Sequence, residues 1–190
     1  MKKATLRLGS IAACFALATT AIHAQERVHA LSGTVTAINS KISMIEIETD
    51  DGSPSHFRWA KTAAAIEFDK TVSADSTAAD KFTSKGHHVI VYYYGQDTVR
   101  TIVSLHDLGD GSVVKSMGTV VKLSRRDHLL TIKNEAGTEV KFQLDAKTVA
   151  DTATGLAQGF KYDLSKGEQV RVTSAQANGT DTALLIVPAA

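Results

Sequence analysis

Hydrophobic and polar residues alternate along most of the chain with the two-residue period of β-strands. Phe57 and Trp59 share one strand face, and Val140, Phe142 and Leu144 share another. Short turns rich in Gly, Asn and Asp separate these runs, and such residues accept the backbone angles of tight turns. The pattern predicts an all-β fold with a minor α-helical contribution.

Ten strands are predicted, five in each half of the chain. In the first half they cover residues 32–38, 42–49, 55–59, the region of 89–93, and 99–105. In the second half they cover residues 117–123, 129–133, 139–144, the region of 170–172, and 183–187. Irregular stretches at 60–83 and 146–164 separate the third strand from the fourth, with helical potential near 73–81 and turn-forming glycines in the second stretch. Val89, Val91 and Tyr93 are expected to face inward.

The two halves repeat each other. Gly33-Thr34-Val35 recurs 85 positions later as Gly118-Thr119-Val120, and a Ser-Lys-Gly triplet at 84–86 recurs at 165–167. A block of this size is one supersecondary unit used twice. We therefore expect two domains, residues 25–109 and 110–190, joined at a turn-forming stretch over 106–112.

Three strands, an irregular connection and two further strands is the order of an OB-like five-stranded barrel. Closing the sheet removes edge strands that a small sheet would otherwise expose to pairing with other chains. The predicted fold class is therefore all-β, with two tandem OB-like five-stranded small barrels. A two-sheet sandwich is the alternative.

The repeated motifs also resemble a known group of proteins. Gly-Thr-Val on the first strand, a second turn ending in Asp51-Gly52 or Ala136-Gly137, and Ser-Lys-Gly before Val-x-Val are similar to tandem small secreted bacterial β-barrel domains of unknown function. The resemblance implies the barrel fold and an exported location. It supplies no functional residue.

The first 24 residues are typical of a secretory signal peptide. Lys2, Lys3 and Arg7 precede an apolar run, and an A-x-A-like site ends at Ala24. We expect an exported protein, periplasmic or secreted, with no transmembrane segment in the mature chain. The alternative is a lipid anchor through Cys14, since Ile11-Ala12-Ala13-Cys14 resembles a lipobox. Cleavage after Ala24 would remove the sole cysteine.

Charge argues against nucleic acid as a partner. The 21 basic and 20 acidic residues of the whole chain become 18 and 20 when residues 1–24 are removed. DNA- or RNA-binding proteins usually carry a clear excess of Lys and Arg to neutralise phosphates. We expect no nucleic-acid binding.

Motifs for catalysis or metal binding are missing from the sequence. It contains no G-x-S-x-G elbow, no H-E-x-x-H pair and no phosphate-binding glycine loop. His87 and His88 are adjacent on a strand and so point to opposite faces. We predict no enzyme activity, no cofactor and no metal. The alternative is a periplasmic divalent-metal-binding protein that uses surface histidines, among them His56, His87 or His88.

One outward face of the first barrel is unusually apolar. The candidate ligand-binding residues on it and beside it are His56, Arg58, His88, Ile90, Tyr92 and Tyr94. Tyrosine can stack on a ligand and also form a hydrogen bond, so an exported non-catalytic binding or structural module for a protein, peptide or glycan ligand is predicted. In the alternative, this row packs against the second barrel or against another copy. The oligomeric state is left open.

Overall fold

A computed structural model describes residues 27–59, 76–96, 100–111, 113–177 and 179–189. The first half contains β1 (His29–Asn39), β2 (Met44–Thr49), β3 (Pro54–Trp59), β4 (His88–Tyr94) and β5 (Arg100–Gly109). The second half contains β6 (Val114–Ser124), β7 (Leu129–Asn134), β8 (Glu139–Gln143), β9 (Val149–Thr152), β10 (Gly155–Gln158), β11 (Gln169–Ala177) and β12 (Thr180–Pro188). The described helical structure is one 3-10 turn, Ala79–Lys81.

The first half is a closed barrel with the strand order β1-β2-β3-β5-β4. Its pairs are antiparallel except β3 with β5, which run parallel. Val89 and Val91 point into a core that also holds Phe57, and Tyr93 packs against that core. The predicted inward alternation of β4 is confirmed.

The second half repeats this arrangement. β6, β7, β8, β12 and β11 correspond to β1, β2, β3, β5 and β4, with β8 beside β12 in parallel. Val170, Val172 and Phe142 belong to a separate core. The chain is therefore all-β and built from two tandem barrel-like units, each with its own core, rather than one sandwich around a shared centre.

Three expectations about connections need correction. Residues 146–164 were expected to be an irregular stretch with turns at its glycines, but they contain the hairpin β9–β10, which joins the second sheet through β12. Residues 60–75 lie outside the described residues, and within 76–81 the expected helical structure is the 3-10 turn over the last three residues. The turn expected over 106–112 is shorter: β5 continues to Gly109, the turn is described at residues 110 and 111, and β6 begins at Val114, because backbone pairing with β4 and β11 extends both strands.

The predictions for the N-terminus concern residues that the structure does not describe. The signal peptide, its cleavage after Ala24 and the alternative lipid anchor at Cys14 all lie before residue 27 and stay predictions. Within the described ranges, no helix has the length and apolar character needed to cross a bilayer.

The repeated Gly-Thr-Val triplet has a steric explanation. A Cβ atom on Gly33 would overlap the carbonyl oxygen of Glu48 on the neighbouring strand, and one on Gly118 would overlap that of Lys133. Each glycine stands just before a register shift, at Val35 in β1 and at Val120 in β6. The missing side chain lets the bent strand approach its partner closely in both barrels.

Gly33→Ala and Gly118→Ala are each expected to lower the free energy of unfolding by about 1–3 kcal/mol, because the added methyl group must push two paired strands apart. Urea unfolding measures the change. Gly111→Ala is the control, since Gly111 is exposed and has open space around its Cα. Equal stability of all three variants would contradict the steric explanation.

Candidate functional site

The apolar row of β4 is covered by the second barrel. Ile90 is 1% exposed and Tyr92 is 2% exposed. Together with Ala30 of β1 they form an apolar cluster with Val149 of β9 and Leu185 of β12. Ile90 and Tyr92 are therefore not exposed, and the alternative in which the row packs against the second barrel describes these two residues. Alternation correctly identified their strand face, but the face packs against the β9–β10 side of the other unit.

The other candidate residues do not form one surface with this row. His88 is also buried, Tyr94 is half-buried at the end of β4, and His56 and Arg58 are exposed on β3. In the barrel order β5 lies between β3 and β4, so it separates His56 and Arg58 from the row. Ligand binding by these six residues stays a prediction, without the continuous aromatic surface on which it was based.

The histidines expected for the metal-binding alternative are likewise apart. His87 Nδ1 lies 2.9 Å from Asp107, whereas His56 Nδ1 lies 3.7 Å from Glu46. Within the described ranges, no three His, Cys, Asp or Glu side chains stand close enough to hold a metal ion. Metal binding stays a prediction that no described donor group supports.

A buried carboxylate connects the two barrels. Asp50, in the turn between β2 and β3, has a side chain that is 13% exposed. Its Oδ2 accepts hydrogen bonds from Ser32 Oγ at 2.5 Å and from Thr173 Oγ1 at 3.0 Å. Its Oδ1 lies 2.8 Å from Lys115 Nζ and 3.4 Å from His88 Nε2. Two of these partners belong to each barrel, so one carboxylate links both.

These contacts determine the charge state of Asp50. Burial by itself would raise the pKa of this carboxyl, but the contacts with His88, Lys115 and Ser32 outweigh burial and hold it well below its ordinary value of 3.8. Asp50 is therefore ionised in the folded protein at neutral pH. Its negative charge is matched by cationic and hydroxyl groups around it.

Further polar contacts join the barrels around the apolar cluster. Arg171 NH1 donates to Asp51 Oδ2 at 3.1 Å. At another position along β1, His29 Nδ1 lies 2.9 Å from Asp151 Oδ1, and Arg27 NH1 donates to the Ala153 carbonyl oxygen at 2.9 Å. Burial raises the pKa of the Asp151 carboxyl, although the contact with His29 acts in the opposite direction.

An open cleft of about 580 Å³ lies between the barrels, and we call it the inter-barrel cleft. Its charged lining residues are Asp50, Asp51, Arg100, Lys115, Asp151 and Arg171. Tyr93, Met117 and Val187 add apolar surface, and Ser53, Ser55 and Ser116 add hydroxyl groups. Both barrels therefore contribute charged and apolar groups to one concave surface.

Arg100 occupies a distinct position in this cleft. Its guanidinium carbon lies 5.4 Å from the ring centre of Tyr93 and 5.9 Å from that of Phe57. Its NH1 group donates to Ser55 Oγ at 3.3 Å. Burial raises the pKa of Tyr93, while the charge of Arg100 acts in the opposite direction. The aromatic rings thus hold a cation at the side of the cleft that the first barrel forms.

Ser32, Asp50 and His88 have the residue types of a catalytic triad but not its connectivity. In a triad the histidine lies between the serine and the carboxylate and takes the serine proton. Here the carboxylate lies between the other two, and Ser32 is buried with Thr173 Oγ1 only 2.7 Å away. An Asp with a lowered pKa is a poor base for a serine hydroxyl.

Sequence reasoning assigned the main cleft residues to turns and ordinary polar positions. The sequence patterns do not single out Arg171 and Thr173 of β11, and Asp51 enters only as part of a turn. A signal was present in the departures from the repeat. Ser32 corresponds to Met117, and Ile90 and Tyr92 of β4 correspond to the polar Arg171 and Thr173 of β11.

The fold and the site define a tandem small-barrel protein with a charged cleft between its two units. No protein-family model matches the chain, and no curated protein matches it. Among solved structures, the chain is similar to the crystal structure of Ag(I)CusF, at 14% sequence identity and a TM-score of 0.33. The match covers 42% of this chain and 100% of that chain. A likeness this distant carries no argument about function.

Tyr92→Ser is expected to lower the free energy of unfolding by about 3 kcal/mol or more, because it removes a large ring from the apolar contact between the barrels. Tyr94→Ser is the matched control on the same strand and should have a much smaller effect. Urea unfolding of both variants gives the comparison. Equal small losses would mean that Tyr92 does not support the contact.

Asp50→Asn should reduce the loss of stability in acid. A carboxyl whose pKa is lowered by folding stabilises the protein above its ordinary pKa, and this contribution disappears as the pH falls below that value. The wild type should therefore lose stability between about pH 5 and pH 2, and the variant should lose less. At pH 7 the variant should already be less stable by about 1–3 kcal/mol.

Unfolding curves measured at several pH values test this expectation. Asp163→Asn is the control, because Asp163 is almost fully exposed and pairs only with the exposed Arg125 among the described residues. If Asp50→Asn and the wild type show the same pH dependence, Asp50 does not couple folding to pH.

Proposed function

We propose that the protein is an exported, non-catalytic binding module that holds a small organic ligand in the inter-barrel cleft. The observation that carries the proposal is the cleft itself, about 580 Å³ in volume and lined by charged and apolar groups from both barrels. Small-molecule sites usually occupy about 300–1,000 Å³ and often lie between structural units.

The way the barrels are joined favours a cleft that exists before the ligand arrives. The apolar cluster around Tyr92 and the polar contacts of Asp50 and Asp151 lie on the same boundary as the cleft. A site held open by such contacts loses less freedom when it binds. We therefore expect binding without large movement of one barrel against the other.

The connectivity of the polar groups supports a role without catalysis. Asp50 lies beside cationic and hydroxyl partners, although its buried Oδ1 forms no hydrogen bond of regular geometry. Asp51 is engaged by Arg171, Thr49 and the Ser53 amide. General acid–base catalysis needs a group that can exchange a proton near neutral pH. An ionised carboxylate held by cations is better suited to positioning and to joining the barrels.

Export is the part of the proposal that depends on the first 24 residues. Their basic start, apolar run and Ala24 site support secretion across a membrane. N-terminal sequencing of the protein recovered from its own compartment tests it. A mature chain that begins after Ala24 supports export with cleavage there, whereas a lipidated Cys14 at the N-terminus would support the anchored alternative.

Filling the cleft should abolish ligand retention. Met117 and Val114 both lie on β6 and are 43% and 42% exposed, but only Met117 lines the cleft. Met117→Trp should place an indole ring in the cleft, whereas Val114→Trp should leave it open. Native mass spectrometry of the recovered proteins should show a bound small molecule in the wild type and in Val114→Trp, but not in Met117→Trp.

Retention of the same molecule by Met117→Trp would place the binding site elsewhere and contradict the proposal. Both variants carry the same new side chain on the same strand. A difference between them therefore reports occupancy of the cleft rather than a general effect of an exposed tryptophan.

A further inference from the structure

We propose that the ligand of the inter-barrel cleft is a small organic carboxylate, and that Arg100 binds its carboxylate group beside the ring of Tyr93. The inference rests on the proposed function, since it names the chemical class that this cleft takes. The inference depends on which cations of the cleft already form ion pairs with carboxylates and which do not.

Arg100 is held in position before any ligand binds. The rings of Tyr93 and Phe57 lie against its guanidinium group, and these two rings meet edge to face with centres 5.3 Å apart. Phe57 is fully buried in the first core, so it gives this group a fixed support. Stacking on aromatic faces and a planar fork of donors suit arginine for binding carboxylates.

The donors of Arg100 are mostly uncommitted within the described part of the chain. A guanidinium group carries five N–H donors, and the described hydrogen bond of Arg100 uses one of them, to Ser55. No described carboxylate forms an ion pair with it. By contrast, Lys115 pairs with Asp50 and Arg171 pairs with Asp51. Arg100 is therefore the cleft cation best able to accept an anion.

The acidic residue on this side of the cleft already has a partner. Asp151 interacts electrostatically with Tyr93, and its Oδ1 lies 2.9 Å from His29 Nδ1. Met117 and Val187 line the same cleft and offer apolar surface. An anion with an apolar body can use both the guanidinium and this surface, which favours an organic carboxylate over an inorganic ion.

The second barrel lacks this arrangement. Strand pairing places Leu105 opposite Val91 and Ile186 opposite Val172, so Arg100 corresponds to Asp181. The charge at this position is reversed between the two copies. The carboxylate site therefore belongs to the first barrel and is not a feature of the repeated unit.

Phenylacetate is the probe, with its neutral isostere phenylacetamide and inorganic phosphate as comparisons. Titration at constant ionic strength and pH 7, followed by protein NMR and calorimetry, gives the affinities. The wild type should bind phenylacetate about tenfold or more tightly than phenylacetamide, as expected for hydrogen bonds to a charged group. Phosphate should bind more weakly because it gains nothing from the apolar surface.

Arg100→Gln should weaken phenylacetate binding by about tenfold or more while keeping a donor for Ser55. Arg126→Gln removes an equal charge from the exposed turn between β6 and β7 and should bind as the wild type does. Arg100→Lys keeps the charge without the planar fork and should give an intermediate affinity. Arg100→Lys also tests the role of the guanidinium group if Arg100→Gln disturbs the fold.

Equal affinity for the acid and the amide, or unchanged binding by Arg100→Gln, would overturn the inference. If Met117→Trp still abolished binding of phenylacetate and of phenylacetamide, the cleft would remain the site and only its carboxylate preference would fail. Phosphate binding as strong as that of phenylacetate would overturn the preference for an organic ligand. The absence of saturable phenylacetate binding to the wild type below about 10 mM would also overturn the inference.

Discussion

The apolar outer face of β4 imposes the constraint on which the arrangement of the molecule depends. Ile90 and Tyr92 point away from the core of the first barrel, where exposure to water would be unfavourable. Contact with Val149 and Leu185 of the second barrel buries them. This contact fixes one barrel against the other, and the cleft is the part of their boundary that remains open.

The two copies of the unit have diverged on the surfaces that meet. Their cores keep the same alternating Val and Phe positions, because a five-stranded barrel of this size needs a filled interior. At the boundary, Tyr92 in one copy stands where Thr173 stands in the other, and Ser32 where Met117 stands. At each of these two positions, one copy has a large side chain with apolar surface and the other copy has a hydroxyl group that binds Asp50.

The charged groups of the cleft divide into two kinds. Asp50 and Asp51 are each held by a cation of the second barrel, so their charges contribute to joining the barrels. Arg100 is supported by aromatic rings and a single hydroxyl group. Because no described carboxylate pairs with Arg100, most of its N–H donors can still bind an anion. The same boundary therefore combines a structural ion network with a group suited to ligand recognition.

Alternation, turn residues and the internal repeat were sufficient to predict the all-β class, the two barrel-like units and the inward positions of Val89 and Val91, although the second unit has seven strands instead of five. These features follow from local backbone periodicity and from the need to close each small sheet. Strand ends and the β9–β10 hairpin were not predictable, because pairing with distant strands decides them. The cover over Tyr92, the partners of Asp50 and the position of Arg100 depend on how two separate units pack. A sequence pattern shows which face a side chain occupies, but only the tertiary structure decides what lies against that face.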